Sequence, residues 1–152
     1  MCGIVSTIGY TEDDVEVMLQ EIEHRGRDNR AIYQSGNVLL GHNRLSINDV
    51  SSDGNQPFVW NDYALVVNGE IWNYPQLRKE YEERGYRFFS NSDSEIILYL
   101  YKENELPRLD GMFSFALHDT MTNQLILSRD WVGKIPLYIY NNDKNIIVAS
   151  EM

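Results

Sequence analysis

Short apolar segments separated by turn residues recur along this 152-residue chain, and they restrict it to folds built from antiparallel strands. The segments are rich in β-branched, aromatic and small residues, which is typical of strands. Predicted strands cover residues 2–8, 31–34, 38–40, 58–60, 63–67, 112–117, 125–128, 137–140 and 146–149. Turns at residues 35–37, 61–62, 120–123 and 141–144 join eight of them into four pairs. Strands joined by such short turns are antiparallel neighbours.

Three helices are predicted between these strands. Thr11 can cap the first helix, and Pro75 lies in the first turn of the second. Ser92 and Glu95 have the spacing of a capping box for a third helix, which is apolar on most faces and is predicted to be covered on both sides. Helices outside two sheets give an α+β fold. The length and the 43% hydrophobic content fit a single domain over residues 1–152.

The charge and the cysteine content disfavour several classes of function. The net charge is −10 and the basic residues are scattered, so nucleic acid is not expected as a partner. One cysteine cannot form an intrachain disulfide, and the first residues lack a secretory signal, so a cytoplasmic location is predicted. The most apolar run, residues 96–101, is far shorter than the roughly 20 residues that a membrane-spanning helix needs. The histidines lack metal-ligand spacing, and we predict neither a metal nor a cofactor.

The only cysteine lies at position 2, where removal of Met1 would make it the amino terminus. A free α-amine has a pKa of about 7.7 to 8.0, so it is partly neutral at cellular pH and can act as general base for the thiol of the same residue. Cys2 is therefore a candidate nucleophile. An unpaired cysteine is also among the most buried residue types and usually does no chemistry, so position 2 alone favours an ordinary packing role.

Asn68 and Gly69 are candidates for stabilising an oxyanion. They follow the strand predicted at residues 63–67, where we expect the sheet to give way to a loop. An Asn amide and a Gly backbone N–H at a strand end can converge on a developing negative charge. Asn-Gly is also the commonest hairpin turn. The next residues, 70–74, are too apolar and aromatic for a simple exposed turn, and Pro75 then begins a helix instead of a return strand.

Arg44 and Asp93 together predict a site for a zwitterion. Arg44 lies in a polar insertion at residues 42–47, and its guanidinium could bind a carboxylate through two parallel hydrogen bonds. Asp93 could hold an ammonium group. Each residue also has a simpler explanation, a surface ion pair for Arg44 and a first-turn helix acid for Asp93. Complementary charges of this kind suit an α-amino acid.

Several short motifs occur in order along the whole chain. They are Met1-Cys2-Gly3-Ile4, His24-Arg25-Gly26, Gly41-His42, Arg44-Leu45-Ser46-Ile47, Gly54-Asn55-Gln56-Pro57, Asn68-Gly69-Glu70-Ile71, Ser92-Asp93-Ser94-Glu95, Gly111-Met112-Phe113, Arg129-Asp130 and Pro136-Leu137-Tyr138. With these motifs the chain closely resembles the glutaminase domain of class II glutamine amidotransferases, which are N-terminal-nucleophile hydrolases. Within that group it is most similar to the amino-terminal half of glutamine-dependent asparagine synthetases. The resemblance implies a four-layer αββα sandwich of two mainly antiparallel sheets.

The resemblance also implies a role for each candidate residue. Cys2 matches the nucleophile, and Asn68 with Gly69 matches the oxyanion hole. The residues implied to hold L-glutamine, by side chain or by backbone, are Arg44, Leu45, Ile47, Glu70 and Asp93. The implied reaction is hydrolysis of the glutamine side-chain amide through a Cys2 thioester, which gives glutamate and ammonia. The implied partner is an ATP-dependent synthetase that receives the ammonia, and no synthetase domain is expected within residues 1–152.

Two other functions remain open from the sequence. The domain could bind glutamine and regulate a partner without turnover, especially if Met1 is retained, because the nitrogen of Cys2 is then an amide and cannot act as a base. It could also be an amidase for a different amide, which the pairing of Arg44 with Asp93 disfavours. The acceptor of the nitrogen is not identified by the residues, and aspartate is the expectation by analogy.

Overall fold

The computed structural model describes all 152 residues, and two antiparallel sheets form its centre. The strands are β1 (Gly3–Ile8), β2 (Asn29–Ser35), β3 (Val38–Arg44), β4 (Phe58–Trp60), β5 (Tyr63–Ile71), β6 (Gly111–Asp119), β7 (Gln124–Arg129), β8 (Tyr138–Asn141) and β9 (Ile146–Ala149). The helices are α1 (Glu12–Glu21), α2 (Tyr74–Glu83) and α3 (Ile96–Lys102). Short 3-10 turns cover Glu23–Arg25, Ser52–Gly54, Asp93–Glu95 and Leu106–Arg108.

The amino-terminal strand β1 lies in the middle of the first sheet. That sheet has the strand order β2-β3-β1-β9-β8, and the second sheet has the order β4-β5-β6-β7. Each adjacent pair is antiparallel. Because β3 and β9 pair with β1 on its two sides, the residue that precedes it, Cys2, is attached to a strand with little freedom to move.

Apolar side chains fill the spaces between four layers. Ile4 of the first sheet and Val66 of the second belong to the cluster between the two sheets. Helix α1 packs on the outer face of the first sheet, where Leu19 meets Leu39. Helices α2 and α3 cover the outer face of the second sheet in the largest cluster, which contains 14 buried residues. The predicted α+β fold with two sheets and outer helices is confirmed.

Local interactions explain where the helices begin. The Thr11 hydroxyl accepts a bond from the Asp14 amide, and the Asp14 carboxylate accepts one from the Thr11 amide, so α1 starts with a complete capping box. Helix α2 has Pro75 in its first turn, where a missing N–H costs nothing. None of the helices is long and apolar enough to span a membrane.

Two strands extend four residues beyond their predicted ends. Strand β3 continues to Arg44 and all of its residues are buried, so residues 42–44 belong to the sheet instead of a polar insertion. Strand β5 continues to Ile71, so the prediction of a loop at residues 68–70 is wrong. The physical reason is pairing: β6 offers a partner to each residue of β5 as far as Gly111 opposite Ile71. Backbone pairing with a distant strand outweighs the local turn preference of Asn-Gly.

The start of the third helix also differs from the prediction. Helix α3 follows the 3-10 turn Asp93–Glu95, which Ser92 caps with its hydroxyl. The Glu95 carboxylate does not return to Ser92 but accepts bonds from the Ser90 amide at 2.8 Å and the Tyr99 hydroxyl at 2.5 Å. The prediction of a capping box is therefore wrong. The Glu95 carboxylate instead connects the preceding loop to α3 through these hydrogen bonds. Residues 96–100 are fully buried, as their apolar pattern predicts.

Candidate active site

A cavity of about 110 Å³ opens where β1 begins and where β3 and β5 end. The eight residues selected from the sequence all line it: Cys2, Arg44, Leu45, Ile47, Asn68, Gly69, Glu70 and Asp93. The register of the first sheet brings two of them together, since Gly3 pairs with Asn43 and their neighbours Cys2 and Arg44 therefore lie side by side. The second sheet and the turn before α3 supply the opposite wall.

The Cys2 sulfur is held by the backbone of Leu45. The Leu45 amide donates to Cys2 Sγ at 3.4 Å, and Sγ lies 3.7 Å from the Leu45 carbonyl oxygen. Burial raises the pKa of the Cys2 thiol, although the Leu45 amide and the positive charges of Arg44 and Arg25 act in the opposite direction. A thiol with a raised pKa stays protonated at neutral pH. Nucleophilic attack by Cys2 therefore requires a base.

Arg25 contacts Cys2 in a way that no sequence pattern revealed. Its Nε donates to the Cys2 carbonyl oxygen at 2.9 Å, and its Nη1 donates to Glu151 at 2.6 Å. The same Glu151 oxygen lies 3.0 Å from His24 Nε2. These bonds join the start of β1 to the turn after α1 and to the segment that follows β9.

One edge of β5 is unpaired and faces the cavity. Strand β4 pairs only with the first three residues of β5, so the rest of this edge has no neighbouring strand. The Val67 N–H donates instead to Gln56 Oε1, and the Ile71 N–H donates to Asp93 Oδ2, both at 2.6 Å. Hydrogen-bond direction alternates along an antiparallel strand, so the Gly69 N–H points to the same edge between them. A ligand in the cavity can therefore reach it.

Gly69 adopts a backbone conformation that disfavours other residues. Its φ is +144°, and a Cβ at this position would approach the Met112 carbonyl and lie 2.5 Å from Phe113 Cα. The adjacent Asn68 is completely buried, and neither its amide nitrogen nor its amide oxygen has a hydrogen-bond partner. Buried amides nearly always find partners, so the free amide of Asn68 beside a cavity is suited to a polar ligand atom.

Arg44 organises the loop at residues 49–55, which borders the cavity. Its Nη1 donates to the Ser51 carbonyl and to Asn55 Oδ1, each at 2.6 Å, and its Nη2 donates to the Asp49 carbonyl. A guanidinium has five N–H donors, so the Nε–H and one Nη2–H have no protein acceptor and can bind one carboxylate side-on. The surface ion pair is the wrong explanation, since Arg44 is only 6% exposed and its acceptors are neutral.

Asp93 and Glu70 form an acidic end of the cavity. Asp93 is 6% exposed, and its position is set by the hydrogen bond that it accepts from the Ile71 amide. Burial raises the pKa of the Asp93 carboxyl, and the charge of Glu70 raises it further. The Ile71 amide and the Asn48 side chain act in the opposite direction. An ammonium group placed between the two carboxylates would relieve their repulsion. A first-turn helix acid is thus an incomplete description of Asp93.

Leu45 and Ile47 lie in the segment between β3 and the 3-10 turn Ser52–Gly54. The two residues are 37% and 70% exposed, respectively, and line the cavity. The main chain of Leu45 is already engaged with the Cys2 sulfur. A backbone contribution of these two residues to glutamine binding stays a prediction.

The sequence assigned no role to three further residues near the cavity. Asn48 and Gln56 line the cavity, and the Asn48 side chain lowers the pKa of Asp93. Both His42 and Gln56 hydrogen-bond the main chain of Val67. The one available signal is the spacing of His42, which lies two residues before Arg44 and therefore on the same face of β3. No group of three or more His, Cys, Asp or Glu side chains is arranged to hold a metal ion.

Comparison with known proteins relates the whole chain to one family. The family model described as the glutamine amidotransferase domain matches residues 1–152. The glutamine-hydrolyzing asparagine synthetase B of Escherichia coli strain K12 is 43% identical to this chain, and the glutamine-hydrolyzing asparagine synthetase of Asparagus officinalis is 40% identical. Both matches cover 100% of this chain but only 29% and 27% of the relatives. The chain therefore spans less than a third of their length.

A solved structure has the same fold. The glutamine phosphoribosylpyrophosphate amidotransferase of B. subtilis, determined with ADP and GMP, matches 99% of this chain with a TM-score of 0.85 at 24% identity. The match covers 42% of that protein's chain and supports the two-sheet sandwich described above. The family match over residues 1–152, with relatives at 40% identity or more across the whole chain, establishes that this chain belongs to the glutamine amidotransferase domain family.

Proposed function

We propose that this domain hydrolyses the side-chain amide of L-glutamine and supplies the ammonia to a synthetase. One observation carries the proposal: the eight residues chosen from the sequence for this chemistry line a single cavity. The cavity is surrounded by four kinds of group: a thiol, two oxyanion donors, a guanidinium with two free N–H groups, and an acidic pair. An α-amino acid that ends in an amide is complementary to all four.

The first half of the proposed reaction forms a thioester. After removal of Met1, the α-amine of Cys2 takes the thiol proton, and Sγ attacks the amide carbon of the glutamine side chain. Negative charge develops on the amide oxygen, where the Asn68 amide and the Gly69 N–H stabilise it. The C–N bond then breaks as the Cys2 ammonium returns its proton to the leaving nitrogen. Ammonia departs, and a γ-glutamyl thioester remains.

Water completes the proposed reaction. The α-amine of Cys2 accepts a proton from a water molecule as the water oxygen attacks the thioester carbon. The same donors stabilise the second oxyanion, the C–S bond breaks, and the sulfur recovers its proton, so glutamate and the free thiol are formed. Throughout both halves, Arg44 binds the α-carboxylate and Asp93 binds the α-ammonium. This fixed orientation keeps the reacting carbon near Sγ.

Delivery of ammonia to a synthetase is part of the proposal. The relatives named above are asparagine synthetases, and this chain spans less than a third of their length. An ATP-dependent partner, as a separate subunit or as a further domain, is proposed to consume the ammonia, with aspartate as the acceptor by analogy. Copurification of the partner with this domain would identify the acceptor.

The glutaminase proposal is tested with protein from which Met1 has been removed. We expect equal amounts of glutamate and ammonia from L-glutamine. L-asparagine should release much less ammonia, because its shorter side chain holds the amide carbon away from Cys2 when Arg44 and Asp93 bind its charged groups. Absence of glutamate release, both alone and with a partner that consumes ammonia, would contradict the proposal.

A glutamine-binding domain without turnover is the second candidate. It is favoured by Met1, which lines the cavity beside Cys2 and, while attached, makes the Cys2 nitrogen an amide. The mass of the intact protein separates the two functions, because loss of one methionine favours catalysis and retention favours binding alone. Glutamine binding measured by calorimetry, with no glutamate formed, would support this second function.

We expect the affinity for glutamine to decrease as the pH is lowered. The decrease should begin at a higher pH than it would if Asp93 had the ordinary pKa of an aspartate. Burial raises the pKa of Asp93, so as the pH falls this carboxyl gains its proton early and loses the charge that binds the α-ammonium. The KM for glutamine should therefore rise with falling pH.

The variant Asp93→Asn tests this pH dependence. Its KM for glutamine should be high at every pH and should not rise further as the pH falls, because the titrating carboxyl is gone. Asp62→Asn, which changes an exposed aspartate in the turn between β4 and β5, should keep the profile of the unmodified protein. A profile of Asp93→Asn that matches the unmodified protein would show that another group binds the ammonium.

A further inference from the structure

Two buried side chains hold the main chain of Val67, the residue before Asn68. His42 Nε2 lies 3.2 Å from the Val67 carbonyl oxygen, and Gln56 Oε1 accepts the Val67 N–H at 2.6 Å. His42 is completely buried and Gln56 is 6% exposed. Because β4 leaves β5 before this point, His42 and Gln56 occupy the hydrogen-bonding positions that a neighbouring strand would fill. The segment that carries Asn68 and Gly69 is thereby supported without being covered.

The tautomer and the protonation state of His42 allow it to act as a permanent hydrogen-bond donor. A carbonyl oxygen can only accept, so Nε2 carries the hydrogen, and the buried Nδ1 has no partner. Burial lowers the pKa of His42 to about 3. The ring is therefore neutral and keeps one N–H across the physiological pH range. Such a group can hold a carbonyl in place but cannot exchange protons with a substrate near neutral pH.

The two contacts also join the two walls of the cavity. His42 lies on β3 and pairs with Ile4 of β1, the strand that follows Cys2. Val67 lies on β5 in the other sheet, two residues before Gly69. Apolar contacts between the sheets are non-directional, whereas a hydrogen bond to the Val67 carbonyl constrains both distance and angle. The position of β5 relative to β1 near the cavity therefore depends on His42.

We propose that His42 and Gln56 are positioning residues for glutamine hydrolysis, which by holding Val67 set the Asn68 amide and the Gly69 N–H at the correct distance from Cys2 Sγ. This inference rests on the proposed function of the cavity. The two residues act through the backbone and leave the groups that bind the glutamine charges in place. A shift of about 1 Å in a reacting geometry can lower a rate by about 100-fold. Loss of either contact should therefore reduce kcat and leave KM little changed.

His42 variants test the proposal in protein from which Met1 has been removed. His42→Leu removes the donor, and we expect kcat for glutamine hydrolysis to fall by about 10- to 100-fold. His42→Gln keeps an N–H donor near the Nε2 position and should restore most of the activity. His118→Leu is the matched control, because His118 is 1% exposed and has no partner on either ring nitrogen. It pairs with Ala64, near the opposite end of β5 from Gly69, and should have normal kcat.

Gln56→Met provides an independent variant if His42→Leu does not fold. Methionine has nearly the same length as glutamine but no oxygen to accept the Val67 N–H, so the same fall in kcat is expected. The rate at which iodoacetamide alkylates Cys2 should be unchanged in both variants, because alkylation develops no oxyanion. This readout separates a displaced oxyanion site from a damaged nucleophile.

The outcomes distinguish this inference from the proposed function. If the unmutated protein lacking Met1 releases no glutamate, both alone and with a partner that consumes ammonia, both fail. If it is active while His42→Leu and Gln56→Met retain more than about a third of its kcat, the positioning role alone is overturned. A rise in KM at constant kcat, or an equal loss of kcat in His118→Leu, would overturn it as well. A fall in kcat with normal KM, restored by His42→Gln, is the supporting result.

Discussion

Replacement of Cys2 with alanine should lower glutamine hydrolysis by at least about 10,000-fold. The variant loses the atom that forms the thioester, and the oxyanion donors have no covalent intermediate to stabilise. The fold should survive, because the two hydrogen bonds of the Cys2 sulfur, both with Leu45, are long at 3.4 and 3.7 Å. Binding of glutamine should also survive, since Arg44 and Asp93 are unchanged. Glutamate release measures the loss of hydrolysis, and calorimetric titration with glutamine measures the retained binding.

Alkylation of Cys2 in the unmutated protein is an independent check on the result with Cys2→Ala. The chain has one cysteine, so one equivalent of iodoacetamide should abolish glutaminase activity by reaction at Cys2 alone. Glutamine should slow the alkylation because it occupies the same cavity. Release of glutamate by purified Cys2→Ala at more than about 1% of the normal rate would contradict the assignment of the nucleophile.

Replacement of Arg44 with lysine should weaken glutamine binding by roughly 100-fold or more, equivalent to about 3 kcal/mol. Lysine keeps the charge but cannot supply the side-on pair of N–H groups that grips a carboxylate. It also cannot replace the bonds from Arg44 to Ser51, Asn55 and Asp49. We therefore expect faster amide hydrogen exchange in the loop at residues 49–55 together with the loss of affinity.

Arg30→Lys is the matched control for this substitution. Arg30 lies on β2 in the same sheet as Arg44 and bonds Glu16 at 2.7 Å and Asn43 at 2.9 Å, and it does not line the cavity. The glutamine dissociation constant, measured in the Cys2→Ala background so that no turnover occurs, should be normal in Arg30→Lys and high in Arg44→Lys. Equal affinities in the two variants would mean that the α-carboxylate is bound elsewhere.

Local sequence patterns were sufficient to locate the secondary structure. The predicted segments correspond to the nine strands and three helices. Turn residues, strand alternation and the Thr11 cap act over a few neighbouring positions, so they can be recognised without knowledge of the fold. The same information did not give the strand order, because β1 pairs with β3 and with β9, which lies at the other end of the chain.

The extent of the strands depends on partners that local patterns do not specify. Residues 68–70 resemble a turn in isolation, yet they continue β5 because β6 pairs with them. Gly69 meets the Met112 carbonyl so closely that a side chain would not fit. The loop prediction failed at the position where a polar strand end approaches the cavity. Here the Gly69 N–H is held at an open edge by a strand and not by a turn.

The sequence by itself determined which chemical groups this protein has: one thiol at position 2, an Asn-Gly pair, a guanidinium and a carboxylate, in an order that identifies the family. Only the tertiary structure decided how these groups are supported. Arg25 holds the Cys2 carbonyl, and His42 and Gln56 hold the main chain of Val67. These supporting contacts join side chains to backbone N–H and C=O groups far away in the chain. Because nearly every residue carries the same backbone groups, such contacts leave no signature in the sequence.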